Sequence, residues 1–432
     1  MKVLHLSTWK ARCGIGDFTH SVVEQLSAAG IENEVFPLDI AALRYMTSGE
    51  VCEEMDRFVR RAAGFDLVHV QHEFSFFTGS GDVFDTVLHF AHLLEALHTA
   101  RKQVVVTFHS GAALQALLPS PDANRSQTEG GGAAAVLATV RRIRLRRAAG
   151  KLNKLWRQRI AAFFDGRRGS FRGVVHTERT RKEMIDSGLA PQCVSVVPLG
   201  FEMRDASFLN DNRAAAKAEL GLPADSILLT VFGFVAAYKG HLTAVEALKR
   251  LPPQYHLAIV GGPHPGNAND QTLNAVLEAW ERQEPGLVPG NVPGRLIVTG
   301  YVPRETVDTY HAATDICLAP FQKGNPTGSA SLTWALTSGK PTIASNIPAF
   351  AEIQQAADCL LLCTPDAVHE LAWHIQQLAG NPGLQQKLAQ NALAFASLHS
   401  WNRVVERLID VYREVTVDVN AKAIQTHYGN VA

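Results

Sequence analysis

The chain has 432 residues, more than one hydrophobic core usually holds, which predicts two domains of about 200 residues each. Hydrophobic residues make up 46% of it and charged residues 19%, as is ordinary for a soluble globular protein. Its 41 basic and 41 acidic side chains balance, so the total charge predicts no nucleic-acid partner, and the sequence contains no recognisable nucleic-acid-binding module.

Several features favour a cytoplasmic location. The six cysteines are scattered, without a CxxC pair or a Cys/His cluster, as in proteins whose thiols stay reduced. Polar residues follow the first apolar run almost at once, so we expect no signal peptide. No run of about 18 apolar residues is present, so we expect no membrane-spanning helix.

Twelve short apolar runs, many of them rich in β-branched residues, alternate with helical patterns along the chain. Such near-continuous apolar strands, separated by helices, predict parallel sheets that are covered on both faces. Twelve strands are too many for one compact sheet of this kind, so we predict an α/β protein with two doubly wound domains. In chain order the runs are KVLHLST, NEVFPLD, DLVHVQ, QVVVTFHS, GVVHTE, VSVVPLG, ILLTVFG, HLAIVGG, RLIVTGYV, DICLAPF, PTIAS and CLLLC.

The loop after the first strand reads WKARCGIGDF and contains Gly14 and Gly16. In open parallel sheets, ligands bind beyond the carboxyl ends of the strands, so this loop is a candidate site. The glycines would let the backbone turn tightly and approach a ligand, and a helix predicted to begin near Asp17 would point free N–H groups at it. A G-x-G after a strand is often only a turn, and the full G-x-G-x-x-G fingerprint is absent.

Polar residues also mark the ends of two later strands in the first half. Gln71, His72 and Glu73 follow DLVHV, and His109 ends VVVTFH. Because parallel strands end at the same edge of a sheet, these side chains are expected near one another.

The second half carries three more motifs. They are FGFVAAYKG with Lys239, TGYV with Gly300, Tyr301 and Val302, and NPTGSASLTWAL with Ser329. In their order and spacing the motifs of both halves resemble glycosyltransferase family 4, whose members are retaining enzymes of the GT-B fold. They are most similar to its mannosyltransferase-like subgroup, and the resemblance covers almost the whole chain except about 118–172.

The resemblance implies two Rossmann-like domains that face a cleft. An acceptor-side domain would span 1–203, including a basic helical insertion at about 118–172, and a nucleotide-sugar-binding domain would span 204–398. A C-terminal helix and tail, 399–432, would cross back to the first domain, and SWNRVVERLIDVYREV has the apolar periodicity of a helix.

The resemblance also implies transfer of a sugar from a nucleoside diphosphate donor to an acceptor hydroxyl. Lys239 would bind the diphosphate and stabilise it as it leaves. Gly14 and Gly16 would also lie at the donor, and the segment Gly300–Val302 would receive the nucleobase. Small residues at the start of a helix would offer hydroxyl and N–H groups to the diphosphate, although a serine-rich start can also be an ordinary N-cap. These residues are Thr327, Gly328, Ser329, Ala330 and Ser331.

His109 matches the histidine that faces the transferred sugar in this family. Its imidazole would bond a sugar hydroxyl or help to stabilise the positive charge that builds on the sugar ring, and a buried structural histidine is the alternative. Gln71 and His72, with Trp334 from the later helix, would contact the donor sugar or the acceptor. Glu73 is the only carboxylate in these loops, so it is the candidate for the base that takes the acceptor proton.

Three positions depart from the family pattern. Phe234 stands where the family usually has an arginine on the diphosphate, and Pro326 and Trp334 replace two glutamates that contact the donor sugar and the ribose. A catalytically degenerate GT-B scaffold that binds a glycan or a membrane is therefore the alternative function, and a phosphorylase or nucleotide-sugar epimerase of this fold is a third. The chain has no D-x-D pair, so we expect no metal and no cofactor apart from the sugar nucleotide.

The segment 141–172 holds twelve Lys or Arg and one acidic residue, against 29 basic and 40 acidic residues in the rest of the chain. Apolar residues recur every three or four positions from Leu145 to Phe163, which predicts a helix with an apolar and a basic face. Such a helix is suited to an anionic membrane surface, and a basic helix packed on an acidic protein is the alternative. The residues predicted to contact the membrane are Arg141, Arg142, Arg144, Arg146, Arg147, Lys151 and Trp156.

Together these features predict a cytoplasmic enzyme that lies at the inner face of the plasma membrane. It would move a hexose, with mannose from GDP-mannose the leading donor and a UDP-hexose the other, to a glycan or lipid-linked acceptor. The product would belong to a surface polysaccharide, a lipopolysaccharide or a glycolipid.

Overall fold

The computed structural model describes residues 1–10, 13–110, 132–165, 169–263, 270–282, 295–322 and 329–428, with the backbone alone for 132–143, 208 and 417–428. The chain divides into two compact units. The first comprises Met1–Pro198 and Val404–Ala432, and the second Leu199–Arg403. The predicted boundaries at 203 and 398 lie a few residues from these divisions.

The first unit contains a six-stranded parallel sheet in the order β2-β1-β3-β4-β5-β6. The order reverses between β1 and β3, which is the point where ligands bind in open sheets of this type. Its strands are β1 (Lys2–Ser7), β2 (Glu32–Pro37), β3 (Leu67–His72), β4 (Gln103–Phe108), β5 (Phe171–Val175) and β6 (Val194–Val196). Its helices are α1 (Gly14–Ala28), α2 (Ile40–Leu43), α3 (Ser48–Arg61), α4 (Val83–Thr99), α5 (Gly132–Arg159) and α6 (Glu178–Asp186).

The second unit repeats this architecture with the order β12-β11-β10-β7-β8-β9, which reverses between β7 and β10. Its strands are β7 (Ile227–Phe232), β8 (Tyr255–Val260), β9 (Leu296–Val298), β10 (Ile316–Ala319), β11 (Thr342–Ser345) and β12 (Leu361–Cys363). Its helices are α7 (Ala206–Asp211), α8 (Arg213–Glu219), α9 (His241–Leu248), α10 (Thr272–Glu281), α11 (Arg304–Ala313), α12 (Ala330–Thr337), α13 (Pro348–Ala357), α14 (Val368–Ala379) and α15 (Pro382–Leu398). Each of the twelve predicted runs is a strand, and the prediction of two Rossmann-like domains is confirmed.

The helix predicted in the basic segment is α5, but its apolar face is covered by protein. Leu152, Trp156 and Ile160 all lie in the hydrophobic core of the first unit. Trp156 is 1% exposed, its ring centroid lies 6.5 Å from that of Phe90 on α4, and its Nε1–H donates to Ser187 Oγ at 3.2 Å. The prediction that Trp156 contacts a membrane is therefore wrong, because burying its indole in the core satisfies both its apolar ring and its N–H group.

The opposite face of α5 is basic and exposed. Arg144, Arg146, Arg147 and Lys151 are open to solvent, as are the nearby Lys154, Arg157 and Arg159. Arg159 pairs with Glu95 on α4 at 2.7 Å. The side chains of Arg141 and Arg142 lie outside the described residues. None of the described helices has both the length and the apolar character needed to cross a membrane.

The last helix, α16 (Trp401–Tyr428), belongs to the first unit from Val404 onward. Val404, Leu408, Val411 and Tyr412 are all buried, so the apolar face predicted for this helix packs against protein. The Tyr412 hydroxyl lies 2.7 Å from Nδ1 of His69 on β3, which ties the helix to the middle of the sheet.

Candidate functional site

The turn after β7 places a lysine at the point where the second sheet reverses its order. Gly233 follows the strand with φ +98°, and a 3-10 turn, Ala237–Lys239, leads through Gly240 at φ +69° into α9. A Cβ on Gly233 would lie 2.6 Å from Lys239 Nζ, and one on Gly240 would overlap the carbonyl oxygen of Pro320 after β10. The positive φ favours glycine at both positions, and at Gly240 the Pro320 backbone also leaves no space for a Cβ, whereas a Cβ on Gly233 would displace the end of the Lys239 side chain.

The Lys239 ammonium is nearly enclosed and has no acidic counter-charge among the described residues. The residue is 7% exposed, and the only side chain recorded as accepting from its Nζ in the described part of the chain is Ser331, at 3.4 Å to Oγ. Burial lowers the pKa of Lys239 from 10.5 to about 8, so the group is still mostly protonated at pH 7. A buried cation without an anion favours binding one.

Helix α12 begins beside this ammonium. Ser329 is its N-cap and accepts from Leu332 N–H at 3.2 Å, and the Ser329 and Ser331 hydroxyl oxygens lie 3.0 Å apart. The first N–H groups of a helix have no partner within it and carry partial positive charge, so the turn around Ala330 adds to the field of Lys239. The structure thus brings together Lys239 and Ser331, while Thr327 and Gly328 lie outside the described residues.

An aromatic side chain stands at the ends of β8 and β9. Tyr301 follows β9 and is 42% exposed, and Gly300 before it has φ +66°. A Cβ on Gly262, after β8, would lie 2.7 Å from the Tyr301 ring, so the ring lies flat on this backbone. The Phe234 ring centroid is 6.3 Å from that of Tyr301, whereas Val302 packs partly into the core. This arrangement offers an apolar face of the kind on which a base can stack.

Trp334 lies one turn into α12 and packs inside the second unit. The Arg204 guanidinium is 5.2 Å from the centroid of its ring, and the His311 ring is 6.0 Å away. Arg204 also pairs with Asp308. Because the Arg204 guanidinium lies over one face of the half-buried indole, that face of Trp334 is not available to a sugar.

In the first unit, α1 begins earlier than predicted. The helix starts at Gly14, with Cys13 as its N-cap, so Gly14 and Gly16 both have helical backbones. They lie in the first turn, not in the tight loop that the sequence pattern indicated. Their N–H groups belong to the positive end of the helix, and burial raises the pKa of Asp17 beside them.

A row of hydrogen-bonding side chains crosses the carboxyl ends of β3, β4 and β5. His109 Nε2, just after β4, lies 2.9 Å from the Gln71 side-chain amide at the end of β3. His109 Nδ1 lies 3.3 Å from Nε2 of His176, just after β5. Phe18 of α1 meets both imidazoles edge-on, with centroid distances of 5.1 and 5.3 Å.

The row continues in both directions. The Gln71 amide lies 3.2 Å from Nε2 of His69, and His176 Nδ1 lies 3.0 Å from the carbonyl oxygen of Val197. Burial holds the pKa of His69 and of His109 well below the usual range and lowers that of His176 to about 4, so all three are neutral at pH 7.

Glu73 forms a second link between the same two strand ends. Ser110, next to His109, donates its hydroxyl to the Glu73 carboxylate. Burial raises the pKa of this carboxyl, against the opposing effect of hydrogen bonds from Ser110 and from the N–H groups of Phe74 and Ser75. A carboxylate with a raised pKa is a better proton acceptor than an ordinary surface glutamate.

His72 does not lie at this edge. It follows Gln71 on β3, and successive strand residues point to opposite faces of the sheet. Its imidazole is 1% exposed and is surrounded by Phe74, Phe77, Phe90, Phe108 and Trp156, and burial lowers its pKa to about 3. The prediction that His72 contacts sugar or acceptor is therefore wrong. Gln71 is also fully buried, so it would act through His109 and not by direct contact.

The sequence analysis missed three members of the row, His69, His176 and Tyr412. His176 had a signal, because VVHTE ends a strand with a histidine just as VVVTFH does. Tyr412 had none, since it is distant in sequence and was assigned only to an apolar helix face. In the described part of the chain, no three His, Cys, Asp or Glu side chains come together in a way that could hold a metal ion.

Lys239, Tyr301 and Ser331 all lie in one continuous segment that matches a known protein family. Residues 212–395 match the family model of glycosyl transferases group 1. The match covers most of the second unit and less than half of the chain.

Known proteins extend this similarity. A D-inositol 3-phosphate glycosyltransferase of Xylanimonas cellulosilytica is 27% identical over 206 residues, which are 47% of this chain and 46% of that protein. The chain thus spans about half the length of the relatives it matches. Anabaena HepE in complex with UDP-glucose has a TM-score of 0.66 at 17% identity, covering 95% of this chain and 99% of HepE. Sucrose-phosphate synthase of Thermosynechococcus elongatus has a TM-score of 0.67 at 18% identity, covering 96% and 100%.

These similarities show that the fold is GT-B, as predicted. The family match and the relatives also support the resemblance to glycosyltransferase family 4. The mannosyltransferase-like subgroup stays a prediction.

Proposed function

We propose that the protein transfers a hexose, with retention at the anomeric carbon, from a nucleoside diphosphate sugar to an acceptor hydroxyl. The observation that carries the proposal is the buried Lys239 ammonium, which meets Ser331 at the N-terminus of α12 without an acidic partner among the described residues. In the reaction the bond between the anomeric carbon and the diphosphate breaks, and the diphosphate leaves with the electron pair. Lys239 and the α12 N–H groups would stabilise that charge.

The first unit would supply the acceptor side. A new bond forms between the acceptor oxygen and the anomeric carbon, and the acceptor proton passes to Glu73, whose raised pKa suits this role. His109, Gln71 and Ser110 lie at the same sheet edge as Glu73. Lys239 and the α12 N–H groups would neutralise the charge on the leaving diphosphate, so we propose that no metal is required.

Two similarities bear on the donor. Relatives of the resembled subgroup favour GDP-mannose, whereas HepE, a neighbour in fold, was solved with UDP and with UDP-glucose. The Tyr301 face would accept either base by stacking. A direct comparison of UDP- and GDP-linked hexoses is therefore the first assay to make.

The basic face of α5 supports attachment to an anionic membrane by charge alone. Because Trp156 and its apolar neighbours are buried in the core, the helix would lie on the surface without inserting. Each basic residue near such a surface contributes about 1 kcal/mol. A lipid-linked acceptor, at the inner face of the plasma membrane, would explain such a surface on the acceptor-side unit.

Sedimentation with liposomes rich in phosphatidylglycerol tests the attachment. The native protein should sediment at low salt and be released at high salt, and replacing Arg141, Arg142, Arg144, Arg146 and Arg147 by glutamine should abolish binding. As a matched control, glutamine at the exposed Arg57, Arg60 and Arg413 of the same unit should change little. Native protein that stays in the supernatant at low salt would exclude this attachment.

The second candidate function is a GT-B scaffold that binds glycan or membrane without catalysis. The occupied face of Trp334 favours it, since a residue that the resemblance places at the sugar packs on Arg204 instead. The same liposome assay, together with glycan binding in the absence of any nucleotide effect, would support this candidate.

Melting temperatures distinguish the two candidates. UDP, GDP, UDP-glucose and GDP-mannose should be added to the native protein, to Lys239→Ala and to Lys387→Ala, a control whose lysine pairs with Asp358 on the surface. A ligand at 100 times its Kd adds about 2.7 kcal/mol to the free energy of unfolding. At least one nucleotide should stabilise the native protein and the control but not Lys239→Ala. If no nucleotide stabilises the native protein, the transferase proposal fails.

A further inference from the structure

The row of side chains in the first unit has a definite direction of hydrogen bonding. It starts at the carbonyl oxygen of Val197, which can only accept. His176 Nδ1 lies 3.0 Å from this oxygen, so His176 carries its hydrogen on Nδ1. In a neutral imidazole the other nitrogen is then an acceptor, and here it is Nε2, which faces His109 Nδ1 at 3.3 Å.

The tautomer of His176 determines the tautomer of His109 and the orientation of the Gln71 amide. His109 Nδ1 must donate to His176, so His109 Nε2 is an acceptor and needs a donor from Gln71. The NH2 group of the Gln71 amide therefore belongs at His109, where the structure has its Oε1, and the amide oxygen belongs over the His69 ring, 3.2 Å from Nε2 and 3.5 Å from Nδ1. Turning the amide by 180° exchanges donor and acceptor and keeps the distances of 2.9 and 3.2 Å.

The hydrogen bonds of His69 and Tyr412, at the other end of the row, are consistent with this direction of donation. His69 Nε2 would carry the hydrogen and donate to Thr107 Oγ1, which lies 2.8 Å away. His69 Nδ1 then accepts from the Tyr412 hydroxyl at 2.7 Å. Burial raises the pKa of Tyr412 well above 10, so its hydroxyl keeps the hydrogen it donates. Each ring nitrogen of the three histidines then has a partner, with all three rings neutral and no extra proton.

We infer that His176 and Gln71 are positioning residues, which hold His109 as the neutral tautomer with its hydrogen on Nδ1. The opposite Gln71 orientation would leave lone pairs of His109 and His176 facing each other, which only an added proton could bridge. The fully buried Gln71 and the neutral Val197 carbonyl give no charge to stabilise such a proton.

The catalytic consequence rests on the proposed function. Both ring nitrogens of His109 are engaged within the sheet edge, so a sugar would meet the edge or face of a neutral ring and not an N–H donor. An imidazolium beside the anomeric carbon would oppose the positive charge that builds there as the diphosphate leaves. Fixing the neutral tautomer therefore keeps this position free of a competing cation.

Nitrogen NMR of the full-length protein labelled with ¹⁵N-histidine tests the assignment without donor or acceptor. Signals are assigned by the single variants His69→Gln, His109→Gln and His176→Gln. At pH 7 we expect hydrogen on Nδ1 for His109 and His176 and on Nε2 for His69. A His109 signal with hydrogen on Nε2, or an imidazolium at either His109 or His176, overturns the inference.

Kinetics test the positioning role. His176→Phe removes the acceptor of His109 Nδ1–H and should lower kcat on the order of 10²-fold while leaving the donor KM nearly unchanged. His176→Gln retains an oxygen that can accept this hydrogen and should restore most of the rate, and the surface control His92→Gln should not change it. Equal loss in His176→Phe and His176→Gln would overturn the role. The expected tautomers in a protein without transferase activity would overturn the proposed function alone.

Discussion

Burial lowers the pKa of a basic group at both sheet edges, yet it leaves the two groups in different charge states at pH 7. Burial lowers the pKa of Lys239 in the second unit from 10.5 to about 8 and that of His176 in the first from 6.5 to about 4. At pH 7 the lysine is therefore mostly protonated, whereas the histidine is neutral. The second edge presents a cation at a helix N-terminus, whereas the first presents a neutral row of oriented hydrogen bonds.

This contrast indicates a division of work between the units. A buried cation with an acidic partner would be neutralised, and Lys239 has none among the described residues, so its field is available to an anion. A buried row of neutral groups gains from being fully paired, because each unpaired member would cost about 1–3 kcal/mol. The predictions below test whether charge is essential at one edge and orientation at the other.

Removing the charge should have the largest effect. Lys239→Ala should lower turnover by roughly 10²-fold or more, because it removes a donor aimed at the leaving diphosphate. Turnover and nucleoside diphosphate affinity are measured together, with Lys387→Ala as the control. Unchanged values for both would show that the diphosphate binds elsewhere.

Displacing the charge without removing it should have the next largest effect. A Cβ on Gly233 would lie 2.6 Å from Lys239 Nζ, so Gly233→Ala should weaken diphosphate binding by roughly tenfold or more, equivalent to about 1.4 kcal/mol. Gly221→Ala is a matched control, because Gly221 also has a positive φ, +69°, but has no atom within 4 Å of the added Cβ.

Both alanine variants should lose about 1 kcal/mol or more of stability through backbone strain. Only Gly233→Ala should lose ligand affinity, which calorimetric titration with UDP and GDP measures. Similar affinities in the two variants would contradict the placement of the ligand at Lys239.

Titrating the charge should weaken binding gradually. A diphosphate stabilises the protonated lysine, so its affinity is full below the pKa of about 8 in the free protein and falls as pH rises through that value. The decline should approach tenfold per pH unit above 8. His241 next to Lys239 has its pKa lowered to about 4 by burial and stays neutral over this range. The weak affinity that remains in Lys239→Ala, measured at higher ligand concentration, should not decline over this pH range, and a decline that persists would assign it to another group.

The strands, and the turn after β7 that carries Lys239, could be predicted from sequence because they depend on local patterns. A strand buried on both faces reads as a continuous apolar run, and all twelve runs are strands. His109 could be singled out because it ends such a run. The pairing of Lys239 with Ser331 could not be derived from spacing, since they are 92 residues apart and meet only through the sheet order.

The errors have equally specific causes. Strand alternation already places His72 on the face opposite Gln71, and that rule was not applied to the Gln-His-Glu motif. For α5, periodicity identified the apolar face around Trp156, but it does not say whether protein or lipid covers that face. Covering by protein is decided by long-range packing, here against α4 and its aromatic side chains.

In the first unit, removing a single hydroxyl at the end of the neutral row should have a modest effect. Tyr412→Phe leaves His69 Nδ1 without its donor, which should lower the free energy of unfolding by about 1 kcal/mol and turnover by a few fold. Denaturant unfolding measures the first and steady-state assays the second, with the exposed Tyr45→Phe as control. A loss of turnover as large as that of Lys239→Ala would mean that the row carries more than orientation.

Removing divalent cations should have the smallest effect. The leaving diphosphate needs positive charge, which Lys239 and the α12 N-terminus supply, whereas cations such as Mg²⁺ are usually held by carboxylates next to the phosphates. Activity should therefore stay within about a factor of two when EDTA replaces added Mg²⁺ or Mn²⁺, in contrast to enzymes in which the metal neutralises the phosphates. Lys239→Ala sharpens the test, because added Mg²⁺ should restore some of its turnover if charge alone is missing. A strict metal requirement in the native protein would show that charge at the second edge comes from an ion and not from Lys239.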